Sequence, residues 1–258
     1  MSPEAENVEA LRRLDELTRR LRRECPWDRE QDERSIVPHT VEEAYELADA
    51  ANRGDDAKLL DELGDVLFQV HFLSLLLEER GAGSLAEVAE HCRQKLIRRH
   101  PHIFGAVEVE SAGEVLANWD QIKRTEAGRE PGLFGEIPEN LPGPLYARKL
   151  QRRAASSGFD FEHIPYEAVS GELEELREAE SDRDAAFHEV GDVLFAAVNV
   201  ARKLKVDPEL ALRASADRFR GRVQGASDLA AADGADWHDL GPDEQLAYYA
   251  RARLSEPT

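Results

Sequence analysis

An all-α fold is predicted for this chain by three features of its sequence. Apolar residues recur every three or four positions in one segment after another, as at Val8, Leu11, Leu14, Leu17 and Leu21. Capping-box stretches, Ser84 to Glu87 and Ser111 to Glu114, stand where two such segments begin. No stretch alternates apolar and polar residues over a useful length, so nothing reads as a strand. The pattern then starts again downstream, which predicts two tandem helical-bundle domains.

The first helix covers residues 5–24 and is broken by the proline of Cys25-Pro-Trp-Asp28. A second is expected from about Thr40 to Arg53, closed by the turn Gly54-Asp-Asp. The third runs from about Asp56 to Arg80 and stops at Gly81. The fourth follows Ser84 and ends before Pro101, and the fifth starts at Ser111 and fades near Gly128. Residues 128–144 hold four prolines and four glycines, the composition of a linker between a first domain, 1–127, and a second, 145–258. Leu145 to Ser157 is a helix closing on Gly158-Phe-Asp160, an echo of Trp27-Asp28. Helices carrying Glu172 with Glu175 and Glu189 with Asp192 come next. The last two span about Pro208 to Val223 and Pro242 to Leu254, and the offset between copies drifts only from 132 to 123 residues.

Composition narrows the function. Of 258 residues, 41% are hydrophobic, which is globular. A net charge of -20 argues against nucleic acid as partner, because a reader of the phosphate backbone needs a basic surface. An acidic protein acting on anionic phosphates needs cations to bridge the two. Cys25 and Cys92 stand far apart without CxxC spacing, so neither zinc nor a disulfide is expected, and a reducing cytoplasm is the simplest setting. The acidic N-terminus has no signal-peptide pattern. The most apolar run, Val66 to Leu77, is too short for a bilayer and is interrupted by Gln69, His71 and Ser74, so no membrane association is expected. A Walker A sequence is missing, which excludes a P-loop enzyme.

The acidic residues carry the chemistry. Glu62-Leu-Gly-Asp65-Val-Leu-Phe68 recurs as Glu189-Val-Gly-Asp192-Val-Leu-Phe195, and each is preceded by another acidic pair, Glu43 with Glu46 and Glu172 with Glu175. Each pair shares a helix face, and a short turn makes successive helices antiparallel, so four carboxylates can meet. Like charges that close repel unless protonated or neutralised, and oxygen ligands without His or Cys suit Mg²⁺, with Mn²⁺ as a substitute. The plainer reading is a set of solvated acidic faces in a chain with 53 Asp and Glu, with Thr40 to Glu43 as a capping box. Against it, Val169 stands where Thr40 would be in the second copy, yet Glu172 remains. The stripe through Glu62 and Asp65 also runs through Gln69 into Phe72 and Leu76, so it faces protein. His71, on the same apolar helix, reads as a satisfied core histidine. His100 and His102, beside Pro101, read as capping or packing residues.

Together these stretches resemble the MazG family of nucleoside triphosphate pyrophosphohydrolases, whose signature is EExxE followed by ExxD. Glu42-Glu43-x-x-Glu46 and Glu62-x-x-Asp65 match it, with Cys25-Pro-Trp-Asp28, Arg98-Arg-His-Pro-His102 and Trp119-Asp-Gln-Ile-Lys123 as family-like flanks. The resemblance covers about residues 8–254 in its tandem form. It implies Mg²⁺-dependent hydrolysis of an NTP or dNTP to monophosphate and pyrophosphate, as a house-cleaning activity, by an all-α homodimer. By position, Glu43, Glu46, Glu62 and Asp65 would hold the metal, and Glu42 would orient or deprotonate the attacking water. Lys95, Arg99 and Lys123 would meet the phosphates and Trp119 would stack on the base. In the second copy Gly171 replaces the first signature Glu, while Glu172, Glu175, Glu189 and Asp192 keep the metal set and Arg218 and Arg222 take the places of Lys95 and Arg99. No tryptophan aligns with Trp119; Tyr248 or Tyr249 is the replacement on offer, with Arg251 or Arg253 for Lys123. The first copy therefore has the fuller site. Two other readings stand beside this one: an all-α hydrolase specific for dUTP or dCTP, and a non-catalytic helical regulator binding nucleotide or metal.

Overall fold

Six of the eleven described helices start where a short polar side chain caps them. The computed structural model describes residues 2–109, 111, 113–115, 118–119, 122, 132–138 and 140–255. Among these residues there is no strand, and they divide into two units, Met1–Arg129 and Glu130–Thr258.

In the first unit, Ser2 accepts from the Ala5 amide at 3.3 Å and Pro3 opens α1, Pro3–Glu24. After a short α2, Pro26–Glu30, a reciprocal cap starts α3, Glu33–Arg53: Asp32 accepts from the Ser35 amide at 2.8 Å, and Ser35 Oγ accepts from the Asp32 amide at 2.9 Å. This helix therefore begins seven residues before Thr40, with Pro38 inside it. Thr40 is no cap; its hydroxyl donates back to the Ile36 carbonyl at 3.4 Å. Gly54, at φ +67°, ends α3 in a left-handed turn, and Asp55 caps α4, Asp56–Glu79, by accepting from the Lys58 amide at 3.0 Å. So short a turn makes α3 and α4 an antiparallel hairpin. Ser84 caps α5, Leu85–Arg99, and Pro101 opens the short α6, Pro101–Phe104.

The core of this unit is small. Ile36 of α3 packs with Phe72 and Leu76 of α4, flanked by Phe68 and Leu73. α1 is fastened to α4 by two forked ion pairs, Arg19 with Glu78 (3.0 and 2.7 Å) and Arg22 with Glu79 (2.9 and 2.8 Å). The Arg22 guanidinium also lies 5.8 Å from the Phe72 ring centroid.

The second unit repeats the plan with α7 (Gly143–Ser156), α8 (Tyr166–Ala179), α9 (Arg183–Lys203), α10 (Pro208–Ala232) and α11 (Pro242–Leu254). α8 and α9 form its antiparallel pair, with Asp182 capping α9 by accepting from the amides of Asp184 and Ala185 at 3.0 and 3.3 Å. α10 continues nine residues beyond the expected end at Val223, because Ala226 and Ala230 are buried and Gly225 lets α10 approach Ala252 of α11. Gln151 joins α7 to α9 by donating from Nε2 to the Phe195 carbonyl at 2.8 Å.

Candidate metal centres

The two hairpins bring the same acids together twice. Carboxylate oxygens of Glu43, Glu62 and Asp65 lie within 4.8 Å of one another, as do those of Glu172, Glu189 and Asp192. In each case one acid comes from the first helix of the hairpin and two, three residues apart, from the second. Glu62 is fully buried at 1% exposure, Glu43 is half-buried and Asp65 opens to solvent. The second cluster is shallower, with Glu172 and Glu189 half-buried and Asp192 exposed.

Charge repulsion is visible in both. The Glu43 carboxyl is pushed above the usual carboxylate range, first by burial, then by the charges of Asp65, Glu46 and Glu62. Glu172 is pushed the same way by burial and then by Glu175, Asp192 and Glu189. Glu46 and Glu175 thus fall outside the three-residue groups but act on them electrostatically. In the first cluster the Lys58 ammonium supplies partial relief, 2.5 Å from Glu62 Oε1. Glu62 Oε2 is buried with no hydrogen-bond donor reaching it. An acid-only oxygen set with a buried, unpartnered carboxylate oxygen fits a hard divalent cation such as Mg²⁺ or Mn²⁺.

The other predicted site residues divide. Glu42 is exposed and outside the cluster, 3.3 Å from His39 Nδ1. Lys95 and Arg99 are half-buried on α5, which packs against α4. The Trp119 ring meets His100 edge-on at 5.5 Å, and His100 Nδ1 lies 2.6 Å from the Leu96 carbonyl. Lys123 lies outside the described residues. On α10, Arg218 is exposed and Arg222 half-buried. Tyr248 stacks under the Arg251 guanidinium at 4.9 Å, Arg251 pairs with Asp233 at 2.7 Å, and Tyr249 packs 6.0 Å from Phe219, so these residues already have partners. His71 is buried as expected but not satisfied: its Nδ1 has no hydrogen bond and stands 3.8 Å from Asp15.

Two features escape a reading for acids alone. Lys58 could have been found from its i, i+4 spacing to Glu62. The second unit also holds an apolar cavity beside α9, lined in part by Phe159, Phe161, Phe195, Gln151 and Asn199. Aligning the two Gly-Asp-Val-Leu-Phe stretches exposes its cause, since Asn199 then falls where the first copy has Phe72.

Comparison with known proteins agrees with this geometry. The family model described as the MazG nucleotide pyrophosphohydrolase domain matches residues 31–104, which contain α3, α4 and α5. A nucleoside triphosphate pyrophosphohydrolase/pyrophosphatase MazG of Thermotoga maritima is 38% identical over 237 residues, 91% of each chain. A nucleoside triphosphate pyrophosphohydrolase of Escherichia coli is 38% identical over 220 residues, 82% of this chain and 84% of its own. One from Mycobacterium tuberculosis is 29% identical over 219 residues, covering 80% and 67%. With its all-helical fold, its paired acidic hairpins and this extent of identity, the chain belongs to the MazG family of nucleoside triphosphate pyrophosphohydrolases.

Proposed function

We propose that this chain hydrolyses ribo- and deoxyribonucleoside triphosphates to the monophosphate and pyrophosphate with Mg²⁺, as a house-cleaning enzyme of the cytoplasm. The observation that carries this reading is the repeated carboxylate cluster, buried on one side and open on the other. Glu43, Glu62 and Asp65, with Glu46 beside them, would hold the ion in the first unit. Glu172, Glu189 and Asp192, with Glu175, would do so in the second. A bound Mg²⁺ neutralises phosphate charge and lowers the pKa of water. Glu42 orients the attacking water and takes its proton. Lys95 and Arg99, one turn apart on α5, receive the phosphates together with Lys123, while Arg218 and Arg222 do so on α10. Trp119 stacks on the base at the first site.

A homodimer is part of the proposal. On α4, Leu60, Leu63, Leu67 and Val70 are exposed, and their 3-4-3 spacing forms one stripe on the face away from the carboxylates. On α9, Phe187, Val190 and Leu194 repeat it. Stripes of this kind on otherwise charged helices are apolar surfaces made for another helix.

The test is pyrophosphate release from the common NTPs and dNTPs with Mg²⁺. Release from several substrates is expected. Release from dUTP or dCTP alone would favour the substrate-specific reading, and release from none would leave only a binding protein.

A further inference from the structure

His100 stands where two helices meet, directly after Arg99. Its amide donates to the Ile97 carbonyl at 3.2 Å, closing α5. Its carbonyl accepts from the Ile103 and Phe104 amides at 2.9 and 3.0 Å, opening α6. Pro101, which has no amide hydrogen, cannot continue α5. The ring is fixed as closely as the backbone. A carbonyl can only accept, so Nδ1 carries the hydrogen and donates to the Leu96 carbonyl at 2.6 Å. The His102 ring tilts against it at 5.6 Å and 53°. The half-buried Trp119 meets it at 5.5 Å and 65°, an edge-to-face arrangement.

Capping accounts for the turn but not for a histidine at its centre. The caps here use backbone atoms, which any residue supplies. What the imidazole adds is a ring tied to the α5 backbone at Nδ1 and set against Trp119. The second copy supports this pairing. Aligned through Arg218 and Arg222, Val223 stands for His100, Gln224 for Pro101 and Gly225 for His102. There α10 runs on to Ala232, and no tryptophan aligns with Trp119. The turn, its two histidines and the tryptophan are missing together.

We infer that His100 is a positioning residue of the first site, which holds the Trp119 ring at a fixed angle to the end of α5. It thereby sets the stacking surface relative to Lys95 and Arg99 on the same helix. The inference rests on the proposed stacking of the base on Trp119. A ring already held in place loses little rotamer freedom when a base stacks on it, so less of the contact energy is spent on ordering. Such a contribution is the same in substrate and transition state and is read in KM rather than kcat.

The test is a double-mutant cycle in full-length chains whose second site is silenced by Glu172→Gln, following pyrophosphate release with Mg²⁺. Trp119→Ala and His100→Ala are each expected to raise KM, His100→Ala by about 2- to 10-fold, with kcat held. The double variant is expected to match Trp119→Ala alone, because a residue that acts through Trp119 has nothing to position once that ring is gone. His100→Phe, which keeps a ring edge, is expected to bring KM most of the way back. Additive effects, or a fall in kcat with KM unchanged, would overturn the inference, as would no pyrophosphate release from this background. Fluorescence separates the inference from the stacking beneath it. Trp119 emission, taken as the difference from Trp119→Phe, is expected to change in His100→Ala and to return in His100→Phe. Unchanged emission in His100→Ala, with KM raised in Trp119→Ala, would overturn the positioning and leave the stacking. An unchanged KM in Trp119→Ala would remove the stacking and with it this role for His100.

Discussion

With Glu43 as a metal ligand, as proposed, metal binding would be coupled to pH. Its carboxyl is held above the usual range by burial and then by the charges of Asp65 and Glu46, so protons compete for this ligand at a higher pH than for an ordinary glutamate, near 4.3. Mg²⁺ affinity is therefore expected to fall as pH is lowered, starting above that value, in titrations compared between about pH 7 and about pH 5. The sign for stability follows from the same shift. A group whose pKa is raised by folding favours the folded state below its unfolded pKa, and that contribution is lost as pH rises through the raised value. Glu43→Gln should accordingly raise the unfolding temperature of the metal-free chain near neutral pH while weakening Mg²⁺ about 10- to 100-fold. An unchanged affinity would remove Glu43 from the ligand set. At the proposed metal site Lys58 would compete with the ion: its ammonium lies 2.5 Å from Glu62, where the second copy has Ala185. Lys58→Met should tighten Mg²⁺ at the first site, measurable in the same titration, and leave the second unchanged.

Helices here are held by different means, and their legibility in the sequence differs for the same reason. Arg22 has a side chain only 17% exposed, forks to Glu79, bonds the backbone carbonyls of Asp28 and Gln31 and covers Phe72. Arg22→Ala should cost about 2 kcal/mol of unfolding free energy. Arg20→Ala removes an i, i+4 pair whose side chains are 68% and 59% exposed and should leave the unfolding free energy nearly unchanged. Denaturant unfolding compares the two, and equal costs would contradict the clamp. Glu62 was legible because a carboxylate on a stripe ending in Phe72 and Leu76 has to face protein. The start of α3 was not, because Pro38 reads as a boundary. The Asp32–Ser35 cap and burial of Ile36 outweigh the amide that proline lacks. The end of α10 was hidden for another reason: Gly225, Ala226 and Ala230 pack by close approach, and small residues leave little periodic signal. On the exposed stripes, Leu63→Asp and Leu194→Asp together should convert a dimer to a monomer in light scattering. A monomeric wild-type chain would refute the dimer.

At the scale of the whole molecule, duplication was plain from sequence because Gly-Asp-Val-Leu-Phe recurs with its acids. What the copies do differently was not, since it depends on which side chains fill equivalent volume. One unit buries its central acid and fills its core with Phe72; the other has a shallower acidic cluster and an open cavity beside Asn199. Two sites of unequal depth in one chain predict unequal metal affinities, seen as two phases in a Mg²⁺ titration that reduce to one when Glu62→Gln removes the buried ligand. Hydrolysis by these acidic hairpins is read from the products formed from an NTP with Mg²⁺, followed by phosphorus NMR for the wild-type chain and for Glu43→Gln combined with Glu172→Gln. Monophosphate and pyrophosphate are expected from the wild type and neither from the double variant. Orthophosphate as the first product, or undiminished pyrophosphate release by the double variant, would contradict it.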